Sequence, residues 1–166
     1  MNRDDFIAVH RRITAEGVDA FVLACIDYRI GVALAKFLTE DLRVIYTLKV
    51  DAGGVQQISA GSSEIRRWFR SNFKIGNGKH KAGRFILINH TDCAAYNGSA
   101  EHASLDDEII FHQNELRIAA EYLRENFPGI EIEAYLAVLW EADEVGFLRI
   151  DVSPEDVDQM ATGATQ

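Results

Sequence analysis

The sequence predicts an α/β fold: a mainly parallel four-stranded sheet flanked by helices, with an antiparallel edge strand. Three observations predict it. Apolar runs of strand length alternate with stretches of helical periodicity, the grammar of parallel sheets with crossover helices. The runs Ala20–Ile26 and Arg84–Asn89 are almost wholly apolar, as buried strands are. Near the end of the chain two apolar runs follow each other with only a short polar break, which suits a hairpin.

The elements follow in order. Arg3–Glu16 clusters Phe6, Ile7, Val9 and Ile13 as a helix would, and Gly17 stops it. Ala20–Ile26 is the first strand. Ile30–Glu40 places Ile30, Leu34, Phe37 and Leu38 on one helical face. Arg43–Val50 reads as the second strand. The turn Asp51–Val55, "DAGGV", lets backbone approach a ligand closely through its glycines. Ser62–Phe73 is a helix facing inward with Ile65, Trp68, Phe69 and Phe73, and Lys74–Arg84 reads as a Gly- and Lys-rich loop. Arg84–Asn89 is the third strand. Ser104–Asn126 is the longest helix, opened by Ser104 and Asp107 at capping-box spacing and closed by Pro128-Gly129. Ile130–Trp140 and Gly146–Val152 form the hairpin, and Ser153-Pro154 starts a short last helix.

A length of 166 residues suits one domain spanning 1–166, with a frayed tail over about 161–166. The net charge of −9 argues against nucleic acid as a partner. No apolar run approaches the ~20 residues needed to cross a bilayer, and "MNRDDFIAVHRR" lacks the apolar core of a signal peptide. A cytoplasmic location is therefore expected. In such a reducing compartment two cysteines suggest a metal site, a catalytic role or inert burial before a disulfide.

Both cysteines stand where a strand run gives out. Open parallel sheets bind ligands beyond the carboxyl ends of their strands. Cys25 ends the first strand, His90 ends the third, and Cys93 follows in the turn. If those strands are neighbours, two thiols and an imidazole converge as a Cys₂His zinc site. Three protein ligands leave one tetrahedral position open, the mark of a catalytic zinc, which lowers the pKa of a bound water to about 7. Asp27 and Arg29 follow Cys25 at alternate positions and share its side if the segment stays extended. Asp27 then has two options: to pair with Arg29 and accept a proton from the water, or to ligate zinc itself and shut the site.

The segment "CIDYR" resembles the Cys-x-Asp-Ser-Arg motif of the β-class carbonic anhydrases, and "HTDC" resembles their His-x-x-Cys motif. "DAGG" lies between them, where that family carries Arg-Asn-Ala-Gly. The resemblance covers roughly Ala20–Gly98. It implies zinc on Cys25, His90 and Cys93, a catalytic dyad of Asp27 and Arg29, reversible hydration of CO₂ to bicarbonate, and a homodimer or higher homo-oligomer. Ala52, Gly53 and Gly54 are expected in the pocket wall, and Tyr28 and Tyr96 stand beside the motifs as further candidates to line it. Three departures stand out: Tyr28 replaces Ser, Val50-Asp51 replaces Arg-Asn, and Ala94 replaces a Gly.

Other readings compete. A zinc hydrolase of COS or CS₂ would use the same frame. A non-catalytic zinc-bearing regulatory protein would have Asp27 as fourth ligand. "GNGKHK" lacks the Gly-Lys-Ser/Thr ending of a phosphate loop, which weakens a nucleotide-binding reading. His112 falls on the stripe Leu105, Ile109, His112, Leu116, Ala119 and Leu123, the place of a packed, hydrogen-bonded core histidine, with a proton shuttle as its sharper alternative. His10, His80 and His102 read as solvated.

Overall fold

The computed structural model describes residues 16–140 and 143–154. All but Glu16 of the expected amino-terminal helix, the frayed tail and all but Ser153-Pro154 of the expected last helix lie outside the described residues. Five strands form one sheet: β1 (Ala20–Cys25), β2 (Tyr46–Asp51), β3 (Arg84–His90), β4 (Glu131–Leu139) and β5 (Val145–Ile150). Their order is β2-β1-β3-β4-β5. All pairings are parallel except β4 with β5, which is antiparallel. The predicted fold class is thus the observed one.

Side-chain alternation explains why the central strands are apolar throughout. Phe21, Leu23, Phe85, Leu87, Ala134 and Leu136 face one layer, packed on α3 (Ser63–Gly78) and α4 (Leu105–Asn126). Their neighbours Ala20, Val22, Ala24, Ile86, Ile88 and Tyr135 face the other, packed on Leu34 and Leu38 after α1 (Tyr28–Lys36) begins. Both faces are covered, so period-2 polarity disappears. Phe21, Phe73 and Phe85 meet with ring centroids 4.7 Å apart for each pair involving Phe73. Fully burying a Phe such as Phe73 or Phe85 stabilises by roughly 1.5–3 kcal/mol.

Several strand ends differ from the sequence reading by one or two residues, and three larger differences each have a local reason. The second strand starts at Tyr46, not Arg43, because Arg43 has φ +53° and cannot continue an extended ladder. Helix α3 runs on to Gly78, absorbing the first half of the expected loop. Gly76 permits this, since a Cβ there would lie 2.1 Å from Cδ2 of Phe21. Its glycine marks close helix–sheet packing, not a break. The third difference bears on the site. The chain does not stay extended past Cys25; α1 starts at Tyr28, with Asp27 as its N-cap accepting the Arg29 N–H at 2.9 Å. After α1 a π-helical turn, Phe37–Asp41, carries the chain toward β2, and the short α2 (Gln56–Ser59) follows that strand.

Helix α4 begins as expected, with the Ser104 Oγ accepting the Asp107 N–H at 3.1 Å. Among the described residues no helix is long and apolar enough to cross a membrane.

Candidate functional site

Strands β1 and β3 pair directly, so Cys25 and His90 end side by side at the carboxyl edge of the sheet. Past His90, Thr91 donates its N–H to the Ala137 carbonyl and accepts the Leu139 N–H on its Oγ1. The turn carrying Cys93 is thereby tied to β4. Cys25, His90 and Cys93 come together buried, with one ligand atom from each lying within 4.8 Å of the others. They are the set expected from the sequence.

Three observations test whether these residues fit a metal ion. The two Sγ atoms are 3.9 Å apart, against the ~3.8 Å set by tetrahedral bonds of ~2.3 Å. Both cysteines are free. His90 donates from Nδ1 to the Thr91 carbonyl at 2.7 Å, which fixes the ring, and its buried Nε2 has no hydrogen-bond partner. An orphaned buried nitrogen aimed beside two sulfurs is what a ligand nitrogen looks like without its metal. The hydrogen bond from Cys93 holds the Cys25 thiol down to about 4, against the burial that raises it. The same contact, together with burial, pushes Cys93 up.

Asp27 is not part of that donor set. Its carboxylate is gripped by Arg29, whose Nε lies 3.1 Å from both Oδ1 and Oδ2 and whose Nη2 lies 2.7 Å from Oδ2. The hydrogen bonds and charge of Arg29 hold the Asp27 carboxyl below the usual carboxylate range. Its Oδ2 is 3.8 Å from Nε2 of His90. In this structure Asp27 is paired with Arg29.

Gly53 and Gly54 have φ of +75° and +57° and turn the chain beside the site. A Cβ on Gly54 would lie 2.6 Å from Oδ1 of Asn89 and 3.5 Å from the Cys25 nitrogen, so this glycine packs directly behind the ligand. Ala52 donates its N–H to Asp51 Oδ1. The charge at Asp51, one of the departures noted above, is offset by Lys49 at 2.8 Å. Ala94 starts a 3-10 turn ending at Tyr96. Tyr96 is buried, reached at 3.3 Å by the Asn89 amide. Tyr28 is 89% exposed.

Sequence reasoning missed several polar residues around the site. Asp92, inside the His-x-x-Cys turn, accepts Arg29 Nη1 at 2.6 Å. Glu108 is buried and accepts the Asp92 N–H at 2.6 Å. His102, expected in solvent, is half-buried with its ring 5.0 Å from that of Phe111 and its Nε2 buried. His112 is a packed core residue: the Asn89 amide reaches its Nδ1 at 3.3 Å, and burial pushes it down to about 3. A cleft of about 800 Å³ lined by Thr39, Arg43 and Tyr46 opens at the other end of the sheet, away from this chemistry.

A family model described as "Putative carbonic anhydrase" matches residues 15–145, spanning every one of these ligands. The chain belongs to this carbonic anhydrase family. Solved structures agree at the level of the fold. A β-carbonic anhydrase from Trichomonas vaginalis has a TM-score of 0.55 at 13% identity, covering 86% of this chain and 88% of that one. A carbonic anhydrase from Streptococcus mutans has a TM-score of 0.55 at 14% identity, covering 89% and 90%. One of two tetrameric β-carbonic anhydrases from Sordaria macrospora has a TM-score of 0.55 at 11% identity, covering 81% and 82%. No curated protein sequence matches significantly.

Proposed function

We propose that this carbonic anhydrase family member is a zinc enzyme that interconverts CO₂ and bicarbonate. One observation carries the reading: a buried Cys₂His donor set with sulfurs 3.9 Å apart, beside a carboxylate that Arg29 holds out of the set. Cys25, His90 and Cys93 would hold the zinc, which when bound supplies Lewis acidity that lowers the pKa of water in its fourth position. In the hydration direction the water oxygen bonds to the carbon of CO₂ and one proton leaves.

Asp27 handles that proton. As an ionised carboxylate it accepts a hydrogen bond from the water and orients a lone pair toward the carbon. Arg29 keeps it ionised and fixes its rotamer through the bidentate pair and the backbone cap. The Ala52-Gly53-Gly54 turn would form part of the pocket wall, the close packing at Gly54 setting its backbone directly behind Cys25. Lys49 offsets Asp51, so bicarbonate does not meet an uncompensated negative charge there.

The working form is a homodimer or a higher homo-oligomer. Ile26, Tyr28 and Val32 are 61%, 89% and 74% exposed around the start of α1, and Leu48 and Val50 project from one face of edge strand β2. Apolar surface of this kind beside a site suits burial against a second copy. The two free cysteines suit a reducing, cytoplasmic setting.

Zinc per chain and CO₂ hydration between about pH 6 and 9, measured for wild type and Asp27→Ala, test the reading. The expected result is one zinc in both proteins and a hydration rate roughly 10²–10⁴-fold lower in the variant. Stoichiometric zinc with no hydration at any pH in the wild type would overturn the enzymatic claim.

A further inference from the structure

We infer that Asp92 and Glu108 are positioning residues that clamp Arg29, and through it Asp27, against the metal-binding turn. The inference rests on the reading of Asp27 as the proton-handling carboxylate.

Asp92 sits between His90 and Cys93 with φ +54°, the left-handed region that side-chain-bearing residues avoid. Four contacts hold it there. Its N–H donates to Glu108 Oε1 at 2.6 Å. Its Oδ1 accepts the Ser99 N–H at 3.1 Å. Its Oδ2 accepts Arg29 Nη1 at 2.6 Å, and its backbone carbonyl accepts Arg29 Nη2 at 2.7 Å. Arg29 thus has Asp27 on one edge of its guanidinium plane and Asp92 on the other. A planar fork held on both edges cannot rotate, so the orientation of Asp27 is inherited from Asp92.

Glu108 explains why Asp92 stays in this conformation. It lies in the first turns of α4 and is only 2% exposed. Its two oxygens accept from the Asp92 N–H and from Ser99 Oγ, the latter at 2.7 Å. No Lys or Arg lies within salt-bridge distance among the described residues; His112 reaches it at 3.8 Å and is kept neutral by burial. Burying a carboxylate with only neutral donors is expensive, and an apolar side chain would pack there more cheaply. What an apolar side chain cannot do is accept the amide of a left-handed residue and the hydroxyl of the next turn together. Gly98 completes the arrangement, since a Cβ on it would lie 3.0 Å from Asp92 Oδ1.

The test uses the zinc-loaded full chain labelled with ¹⁵N-arginine. The Arg29 guanidinium signals are assigned by their absence from Arg29→Lys. In the wild type the two Nη groups should give separate, slowly exchanging resonances. Asp92→Asn, which keeps the shape but removes the charge, should merge them. Glu108→Leu should do the same, and Glu108→Gln, which retains an acceptor for the Asp92 N–H, should restore the separation. Zinc should remain at one per chain in Asp92→Asn. Its kcat should fall roughly 10- to 100-fold with KM little changed, the scale expected from misplacing a catalytic group by about 1 Å. Unchanged guanidinium signals in Asp92→Asn, or wild-type kcat, would overturn the clamp. A wild type that binds zinc without hydrating CO₂ would overturn the proposed function alone, and the guanidinium signals would still decide this inference.

Discussion

Replacing Gly54 by alanine tests whether the turn behind Cys25 is built as tightly as the distances indicate. The residue has φ +57°, where an L side chain costs roughly 1–2 kcal/mol. The new Cβ would also lie 2.8 Å from the Ile88 carbonyl and 2.6 Å from Asn89 Oδ1. The carbonyl belongs to central strand β3 and cannot swing away. Asn89 can, but its Oδ1 accepts the buried Val55 N–H at 3.1 Å, and abandoning that donor costs about 1–3 kcal/mol. Together these terms predict a loss of about 3 kcal/mol. For a chain of this size that is a fall in Tm of roughly 6–12 °C. Because relieving those two clashes shifts the turn that lies against the Cys25 nitrogen, zinc affinity measured by chelator competition should fall as well. Gly31→Ala is the control. Gly31 lies in α1 with nothing within 4 Å of its added Cβ, so Ala there should stabilise by about 0.5–1 kcal/mol. Thermal melts of both variants, with and without zinc, decide the matter. A Gly54→Ala protein melting within 2 °C of wild type, at about the same zinc affinity, would refute the packing argument.

Other perturbations separate the layers of the structure. Cys93→Ser should reduce bound zinc from one per chain to near zero while far-ultraviolet circular dichroism stays native, as read by metal analysis of the dialysed protein. Gly76→Ala should lower stability by about 1–3 kcal/mol through overpacking on Phe21, with zinc content unchanged, because Gly76 lies far along α3 from the ligands. Burial depresses His112 to about 3 from an ordinary value near 6.5. Between those values the unfolded chain binds a proton that the folded chain refuses, so stability falls as pH drops through that window. His112→Gln should flatten urea-derived stability against pH there by up to one proton, about 1.4 kcal/mol per pH unit. An unchanged slope would mean that His112 protonates freely in the fold.

What could be read without coordinates was whatever local pattern determines. Short, almost wholly apolar runs mark β1 and β3, and the convergence of Cys25 with His90 and Cys93 follows once those strands are neighbours. The end of α3 was hidden because glycine reads as a breaker; only the ring of Phe21, far away in sequence, shows that Gly76 is there to be small. The relation of Asp27 to Arg29 was expected for the wrong local reason. They meet through a helix cap, not through an extended strand. Asp92 and Glu108 were out of reach altogether. An aspartate in a turn carries no signal that its φ is positive, and a glutamate early in a helix carries none that it will be buried. Their contact joins residues 16 apart through tertiary packing, which periodicity does not encode.

The two sulfur donors are separated by 68 residues of chain. An unfolded chain can offer a metal only the adjacent pair His90 and Cys93; the third donor arrives when β1 docks on β3. A metal at this centre is therefore a cross-link as well as a reagent, closing a long loop through the middle of the sheet. Affinity and foldedness become one quantity measured from two ends: chelation should loosen the whole domain, and a supply of metal during folding should favour the one strand pairing that completes the ligand set.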